Sequence, residues 1–300
     1  MCIRVRLLSM KKSKHNILKA IIPVAGIGSR FLPATRVIPK PLLPVLNIPS
    51  IEYVMREIVA AGIKDVLFVI SSGMESLTSY FEAKPELENI LLGTGRFELL
   101  DSQKNISSLA NISIAYQEFP RGLGDAVLMG KDFVGNEPFA IVLPDDIIWS
   151  DIPSIQQLVD TKMIHGGSVI GAIPVPKKIV NTKGIIDGEH IDKRVLHVRQ
   201  LVEKPGIEQA PSNISIIGRY VLEPIIFGYL DSQSPGAGGE IQLTDAINRS
   251  IKKQKVYAHL IEGHHSDTGN PEGMIEATLF AVYKDPVLRA LVKNIVGNWD

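Results

Sequence analysis

Residues 25–44 read AGIGSRFLPATRVIPKPLLP. Gly26 and Gly28 lie in a turn directly after an apolar run, and Arg30 and Lys40 follow with no acidic residue nearby. Backbone N–H groups in such a turn approach phosphates without side-chain obstruction. A planar guanidinium and a compact ammonium suit a ligand that carries several negative charges. Pro33, Pro39, Pro41 and Pro44 stiffen the stretch, as a preorganised site requires. Position 31 is Phe31, so the third glycine of a dinucleotide-binding fingerprint is missing, which sets a nicotinamide dehydrogenase aside. Gly28 follows Gly26 too closely for a P-loop. A lone G-x-G is also a common strand-to-turn signal, so the basic residues carry the reading.

Acidic residues supply a second chemistry. Leu143-Pro144-Asp145-Asp146 follows the apolar run FAIVL. An acid at the carboxyl end of a strand is a natural Mg²⁺ ligand, because that ion takes one or two carboxylates plus phosphate oxygens and water. Pro-Asp-Asp is equally ordinary turn chemistry, and residue type alone leaves the two open. Glu203-Lys204 pairs a cation suited to a phosphate with a carboxylate that accepts from hydroxyls; by type alone it is a surface pair before a proline turn. His264 and His265 are adjacent, point different ways and lack an i,i+4 partner, so a solvated pair is expected rather than a transition-metal site.

The elements that must position these residues alternate. Leu18–Val24, Val66–Ile70, Ile112–Tyr116, Phe139–Leu143, Ser168–Ile173, Val195–Val202, Ile214–Val221 and Val256–Ile261 read as strands. Ile51, Val54, Met55, Ile58 and Val59 recur at helical spacing, with Ser50 as N-cap and Gly62 as C-cap. Further helices are expected around 152–163, 241–252 and 273–283, and residues 84–111 read as a helix-bearing insertion. Strand–helix alternation with strands apolar on both faces predicts an α/β fold, a mostly parallel mixed sheet covered by helices. Ligands in such folds bind beyond the carboxyl ends of the strands, so the loops after Val24, Tyr116, Leu143 and Val202 should converge.

Composition bounds the rest. Hydrophobic residues are 45% of 300, which excludes a disordered or collagen-like chain and allows a sizeable core. Lys plus Arg and Asp plus Glu are 32 each, giving no reason to expect nucleic acid or a membrane surface as partner. The balance is uneven: nine basic residues precede the first acid, Glu52. No apolar run approaches the ~20 residues that span a bilayer, and no secretory signal is recognisable, so a cytoplasmic protein is expected. Cys2 is the sole cysteine and forms no intramolecular disulfide. Residues 1–16 form a basic tail, with Met10 as a second possible start, and residues 17–300 are expected to be one domain.

GxGSRFLPAT…PKPLLP resembles the signature of the sugar-1-phosphate nucleotidyltransferases. Gly122-Leu123-Gly124-Asp125-Ala126-Val127, Leu143-Pro144-Asp145-Asp146, Val202-Glu203-Lys204-Pro205, Ala210-Pro211-Ser212-Asn213, Ile217-Gly218-Arg219-Tyr220 and residues 236–246 (GAGGEIQLTDA) extend it from about residue 17 to 285. The last block is similar to the uridylyl members. The resemblance implies a Rossmann-like three-layer sandwich and Mg²⁺-dependent transfer of UMP from UTP to glucose 1-phosphate, commonly by a homo-oligomer. It assigns Arg30, Lys40 and Lys204 to catalysis. Ala25, Gly26, Gly28, Ser29, Gln117 and Gly122 would bind the nucleotide, with Gln117 and Gly122 against the base. Gly184, Glu203, Lys204, Asn213 and Gly218 would bind the sugar phosphate. The metal falls to Asp145 and Asp267, with Asp146 a weaker choice. Two positions depart from the uridylyl pattern: Pro41-Leu42, where an acid and Met are more frequent, and Asp125, where His is common. Both resemble the thymidylyl members, which leaves glucose-1-phosphate thymidylyltransferase as an alternative. A non-catalytic paralogue that binds sugar nucleotides is the other, opposed by the joint presence of Arg30, Lys40, Asp145 and Lys204.

Overall fold

The computed structural model describes residues 17–298. The basic tail, with Cys2 and Met10, lies outside the described residues. In chain order the strands are β1 (Lys19–Pro23), β2 (Pro44–Val45), β3 (Ile48–Pro49), β4 (Asp65–Ile70), β5 (Asn111–Tyr116), β6 (Phe139–Val142), β7 (Asp146–Trp149), β8 (Ser168–Pro174), β9 (Gly184–His190), β10 (Val195–Glu203), β11 (Ile214–Leu222), β12 (Val256–Leu260) and β13 (His264–Asp267). The α-helices are α1 (Ser50–Ala60), α2 (Glu75–Ser79), α3 (Pro85–Gly93), α4 (Phe97–Ser107), α5 (Leu123–Leu128), α6 (Lys131–Val134), α7 (Ser154–His165), α8 (Ile226–Asp231), α9 (Leu243–Ser250), α10 (Pro271–Lys284) and α11 (Pro286–Val296).

Nine strands form the main sheet, in the order β5-β4-β1-β6-β11-β8-β12-β10-β9. It is mixed. The expected parallel pairing holds for β5-β4-β1-β6 and for β8 with β12. β11 enters antiparallel to both β6 and β8, and β10 and β9 continue antiparallel. The expected mixed sheet is present, with parallel pairing confined to those two groups. Two-sided burial produces the same continuous apolar run in either direction, so residue pattern alone does not fix strand polarity.

Alternation along the strands separates two cores. Ala20 and Ile22 of β1 face one side, with Val54, Met55 and Ile58 of α1 and Ile155 and Leu158 of α7. Ile21 faces the other, with Val127 of α5, Phe227 and Leu230 of α8 and Ala246 and Ile247 of α9. Successive strand residues point to opposite faces, and each large side chain so buried contributes about 1.5–3 kcal/mol. Residues 84–111 contain α3 and α4, as expected for a helical insertion. Ser50 is not an N-cap: it is the first helical residue, and its hydroxyl donates to Pro41 O at 3.0 Å, tying α1 to the basic loop. Gly62, just past α1, has a φ of +88°, as a helix stop requires. No helix among the described residues is long and apolar enough to cross a membrane.

One buried pair joins these layers. Arg219 of β11 is 0% exposed and ion-pairs with Glu57 of α1 at 2.7 Å. Glu57 also accepts from Ser154 Oγ and from the Ile155 N–H (3.1 Å), at the start of α7. Arg219 donates further to the carbonyls of Leu143 (3.2 Å), Gly218 (3.0 Å) and Asp146 (2.6 Å). Glu57→Ala strands a buried guanidinium and is expected to cost about 3–5 kcal/mol, read as a lowered urea midpoint. Arg219→Met in the same chain should not restore stability, because the Leu143 and Asp146 carbonyls would then lose the guanidinium that serves them.

Candidate active site

The glycine turn follows β1. Gly28 has a φ of +68° and its carbonyl accepts from Thr35 Oγ1 at 2.8 Å, which closes the turn on itself. A side chain at Gly28 would meet Lys40 Cβ and Thr35 Cγ2 at 3.1 Å, whereas Gly26 faces open space. Arg30 leaves this turn exposed and reaches Gly269 O at 3.4 Å. Lys40 crosses to Asp145 Oδ2 at 2.7 Å. The loop after β1 and the loop after β6 therefore meet, as expected.

Asp145 and Asp146 diverge. Asp145 is half-buried beside Lys40, and its backbone carbonyl accepts from Thr268 N at 2.7 Å. Asp146 is buried: its Oδ2 accepts from the Gly218 N–H at 2.8 Å and its Oδ1 pairs with His265. Burial pushes its carboxyl up, but the His265 hydrogen bond, with the charges of His265, Arg219 and Lys183, outweighs burial and lowers it to about 2. The second acid arrives on β13, which pairs antiparallel with β7 and sets Asp267 opposite Asp146. Asp267 Oδ2 pairs with Lys183 at 2.7 Å and Oδ1 accepts from Gly269 N at 2.9 Å. A Cβ on Gly269 would lie 2.7 Å from Asp267 Oδ1 and 3.1 Å from Asp145 Oδ2, so both carboxylates border one point.

The expectation of a solvated histidine pair is overturned. His265 is held inward by Asp146, and His264 stacks on Phe280 with ring centroids 3.9 Å apart. Alternation along β13 sends the two rings to opposite faces, and tertiary packing supplies a partner for each.

Glu203 and Lys204 end β10. Glu203 Oε2 accepts from Thr244 Oγ1 at 2.7 Å and borders Gly184. Lys204 is exposed, adopts a φ of +46°, and donates its backbone N–H to Lys183 O at 3.0 Å. Lys183 thus links Glu203 and Lys204 to Asp267. Burial alone would lower the Lys183 ammonium, but Asp267, Asp146 and Asp145 outweigh it and raise its pKa. Asn213 stands apart, donating to Val175 O at 3.3 Å. Gly218 lies under the acidic loop: a Cβ there would fall 2.4 Å from Leu143 Cβ and 2.5 Å from Asp146 Oδ2. Gln117, just past β5, is buried against Asp125 and Gly122. Gly122 and Gly124 pack on the 236–246 block, where a Cβ would come 2.8 Å from Glu240 Cβ or 2.7 Å from Ile241 O.

Sequence reasoning missed Lys183, Arg219 and Thr244. Arg219 carried a signal, a lone charge inside an otherwise apolar strand pattern. Lys183 and Thr244 carried none.

A glycine turn, paired lysines and carboxylates beyond the strand ends of an α/β sheet define a nucleotide-transferring enzyme. The model of the nucleotidyl transferase family matches residues 19–283, and the chain belongs to that family. Within it, the chain is 45% identical over 291 residues to the UTP–glucose-1-phosphate uridylyltransferase of Staphylococcus epidermidis, covering 97% of this chain and 100% of the relative. It is 43% identical over 280 residues to UTP–glucose-1-phosphate uridylyltransferase 1 of Staphylococcus saprophyticus, covering 93% and 98%. A UDP-glucose pyrophosphorylase complexed with UDP-glucose superimposes with a TM-score of 0.82 at 36% identity, over 90% of this chain and all of that one. A UTP-bound UGPase from Acinetobacter baumannii gives a TM-score of 0.85 at 35% identity, over 93% and 98%.

Gly218→Ala must displace the acidic loop, and a shift near 1 Å is expected to reduce kcat/KM for nucleotidyl transfer about 10²-fold. Asp146 has a lowered folded pKa, so its stabilisation is full above its unfolded value of about 4 and is lost as pH falls toward 2. Asp146→Asn should flatten that part of the acid-unfolding curve, followed by circular dichroism. An unchanged slope would count against the His265 and Arg219 attribution.

Proposed function

We propose that the protein transfers UMP from UTP to glucose 1-phosphate, giving UDP-glucose and pyrophosphate. The observation that carries this reading is the meeting of Lys40 on Asp145 with Lys183 on Asp267, beside the glycine turn, in a chain whose full-length relatives bear that activity in their names. The reading takes residues 17–300 as a single nucleotidyltransferase domain behind a basic tail at 1–16. It takes the fold as a Rossmann-like three-layer sandwich, supported by the separate cores on the two faces of the sheet.

In this reading the backbone of Ala25, Gly26, Gly28 and Ser29 receives the nucleotide, and Arg30 and Lys40 neutralise its phosphates. Gln117 and Gly122 meet the base. Gly184, Glu203, Asn213 and Gly218 line the sugar side, and Lys204 holds the sugar phosphate. An oxygen of glucose 1-phosphate attacks the α-phosphorus of UTP in line. The bond from that phosphorus to the bridging oxygen breaks, and its electron pair leaves on pyrophosphate. The attacking oxygen is already anionic, so no side chain need take a proton. Rate enhancement comes from alignment and from cations placed where phosphate charge develops.

Asp145 and Asp267 would hold Mg²⁺. Their donor chemistry fits, since that ion accepts two carboxylates and takes its remaining oxygens from phosphate and water. Among the described residues no group of three or more His, Cys, Asp or Glu stands ready as a closed metal cage, in keeping with an ion shared with substrate. When bound, the ion adds positive charge at the triphosphate. Lys40 and Lys183, now resting on the carboxylates, then have phosphate oxygens as alternative partners.

With Mg²⁺, glucose 1-phosphate and UTP, the protein is expected to release pyrophosphate, and EDTA should abolish the release. Preference for dTTP would favour the thymidylyl alternative, and no release with any nucleotide would favour a binding protein. Lys204→Ala should lower kcat at least ~10²-fold with an unchanged circular dichroism spectrum. Near-normal turnover in that variant sinks the assignment.

A further inference from the structure

Asp125 has no place in the mechanism above, yet it is 2% exposed and charged. It stands in the first turn of α5, and its Oδ1 pairs with Arg121 at 2.9 Å. Its Oδ2 accepts from Gln117 Nε2 at 2.7 Å. The second acceptor near that nitrogen is Gly122 O at 3.4 Å. A carboxylate only accepts hydrogen bonds, so it dictates which end of the amide faces it: the nitrogen must, and the oxygen must not. Both amide hydrogens are thereby committed. Oε1 is the remaining polar atom of the side chain, and among the described residues no donor meets it.

The frame around this amide is tight. The Gln117 N–H continues the β4 ladder to Ile70 O at 2.8 Å. The Gly122 loop is stitched to the 236–246 block by Ile241 N to Arg121 O and Gly124 N to Ile241 O, both 2.7 Å. The side chain itself is 6% exposed, so the amide has little room to turn.

We infer that Asp125 fixes the direction of the Gln117 amide, so that the site presents a hydrogen-bond acceptor to the base and selects pyrimidines that carry an N3–H donor. This rests on the reading that Gln117 faces the base. Uracil and thymine both offer N3–H, whereas cytosine has a lone pair at N3. The device separates UTP and dTTP from CTP, and it does not separate the first two from each other. Asp125 is a positioning residue: it acts through Gln117 and touches no substrate.

The test measures pyrophosphate release from UTP, N3-methyl-UTP and CTP, each with glucose 1-phosphate, by the wild-type protein, Asp125→Asn and Gln117→Ala. Wild type should use N3-methyl-UTP and CTP at least about 10-fold less efficiently than UTP, the scale of one unmet buried hydrogen bond. An asparagine in place of Asp125 both donates and accepts, so it would tolerate either end of the Gln117 amide. Asp125→Asn should therefore raise KM for UTP, leave kcat within about 3-fold, and reduce the UTP-to-CTP ratio of kcat/KM about 10-fold. A purely structural role would lower both nucleotides together and leave that ratio unmoved. Gln117→Ala without effect on UTP would place the base elsewhere and overturn the site reading itself. A loss in Gln117→Ala with an unchanged ratio in Asp125→Asn would overturn the role of Asp125 alone. Should Asp125→Asn fail to fold, wild type decides: equal use of UTP and N3-methyl-UTP overturns the proposal.

Discussion

The Arg219 guanidinium is the charge around which the site is organised. A fully buried cation is tolerated only when ion-paired and hydrogen-bonded, since an uncompensated one costs several kcal/mol. Arg219 meets that demand with groups from separate segments: Glu57 of α1, Ser154 of α7, and the carbonyls of Leu143 and Asp146 on either side of Asp145. Satisfying one side chain thus holds the loop that presents Asp145. Because the guanidinium also serves backbone carbonyls, an apolar pair would not replace it, and the ion pair specifies the geometry of this loop. Gly218, one residue earlier, completes the arrangement by leaving no Cβ between β11 and the loop.

Around that anchor the charges are matched in pairs. Lys40 rests on Asp145 and Lys183 on Asp267, both at 2.7 Å and both half-buried. These cations come from distant parts of the sequence, one from the acid-poor first segment and one from the residue just before β9. The overall net charge of zero therefore conceals a local balance of two ammoniums against two carboxylates. Arg30 and Lys204 remain more exposed at the rim, free of a carboxylate closer than 3.8 Å among the described residues.

Much of this was legible in the chain. The turn at Gly26 and Gly28, with Arg30 and Lys40, could be read because turn glycines and isolated cations are local signals. So could the eight apolar strands, because burial on both faces leaves continuous runs in most of them; β5 at the sheet edge is largely exposed and was read from its residue types alone. β7 and β13 could not be read. DIIW and HHSD are short and each pairs only with the other, across more than 100 residues, so neither has a pattern of its own. The same fact explains the error at His264 and His265, which gain partners only once that pairing forms. Ser50 looked like a cap by type, but the nearby Pro41 carbonyl claimed its hydroxyl.

By itself the sequence determined the alternation of strands and helices, the preorganised basic turn, and the residue types proposed for a phosphate and metal site. These depend on side-chain periodicity and on local backbone preference, both written over a few adjacent residues. The tertiary structure alone decided that β11 runs antiparallel between β6 and β8, that Asp145 and not Asp146 faces Lys40, that Lys183 joins the site, and which end of the Gln117 amide is free. Each of those outcomes follows from long-range pairing of buried charges and donors, where the demand for a partner is met by residues distant in the chain.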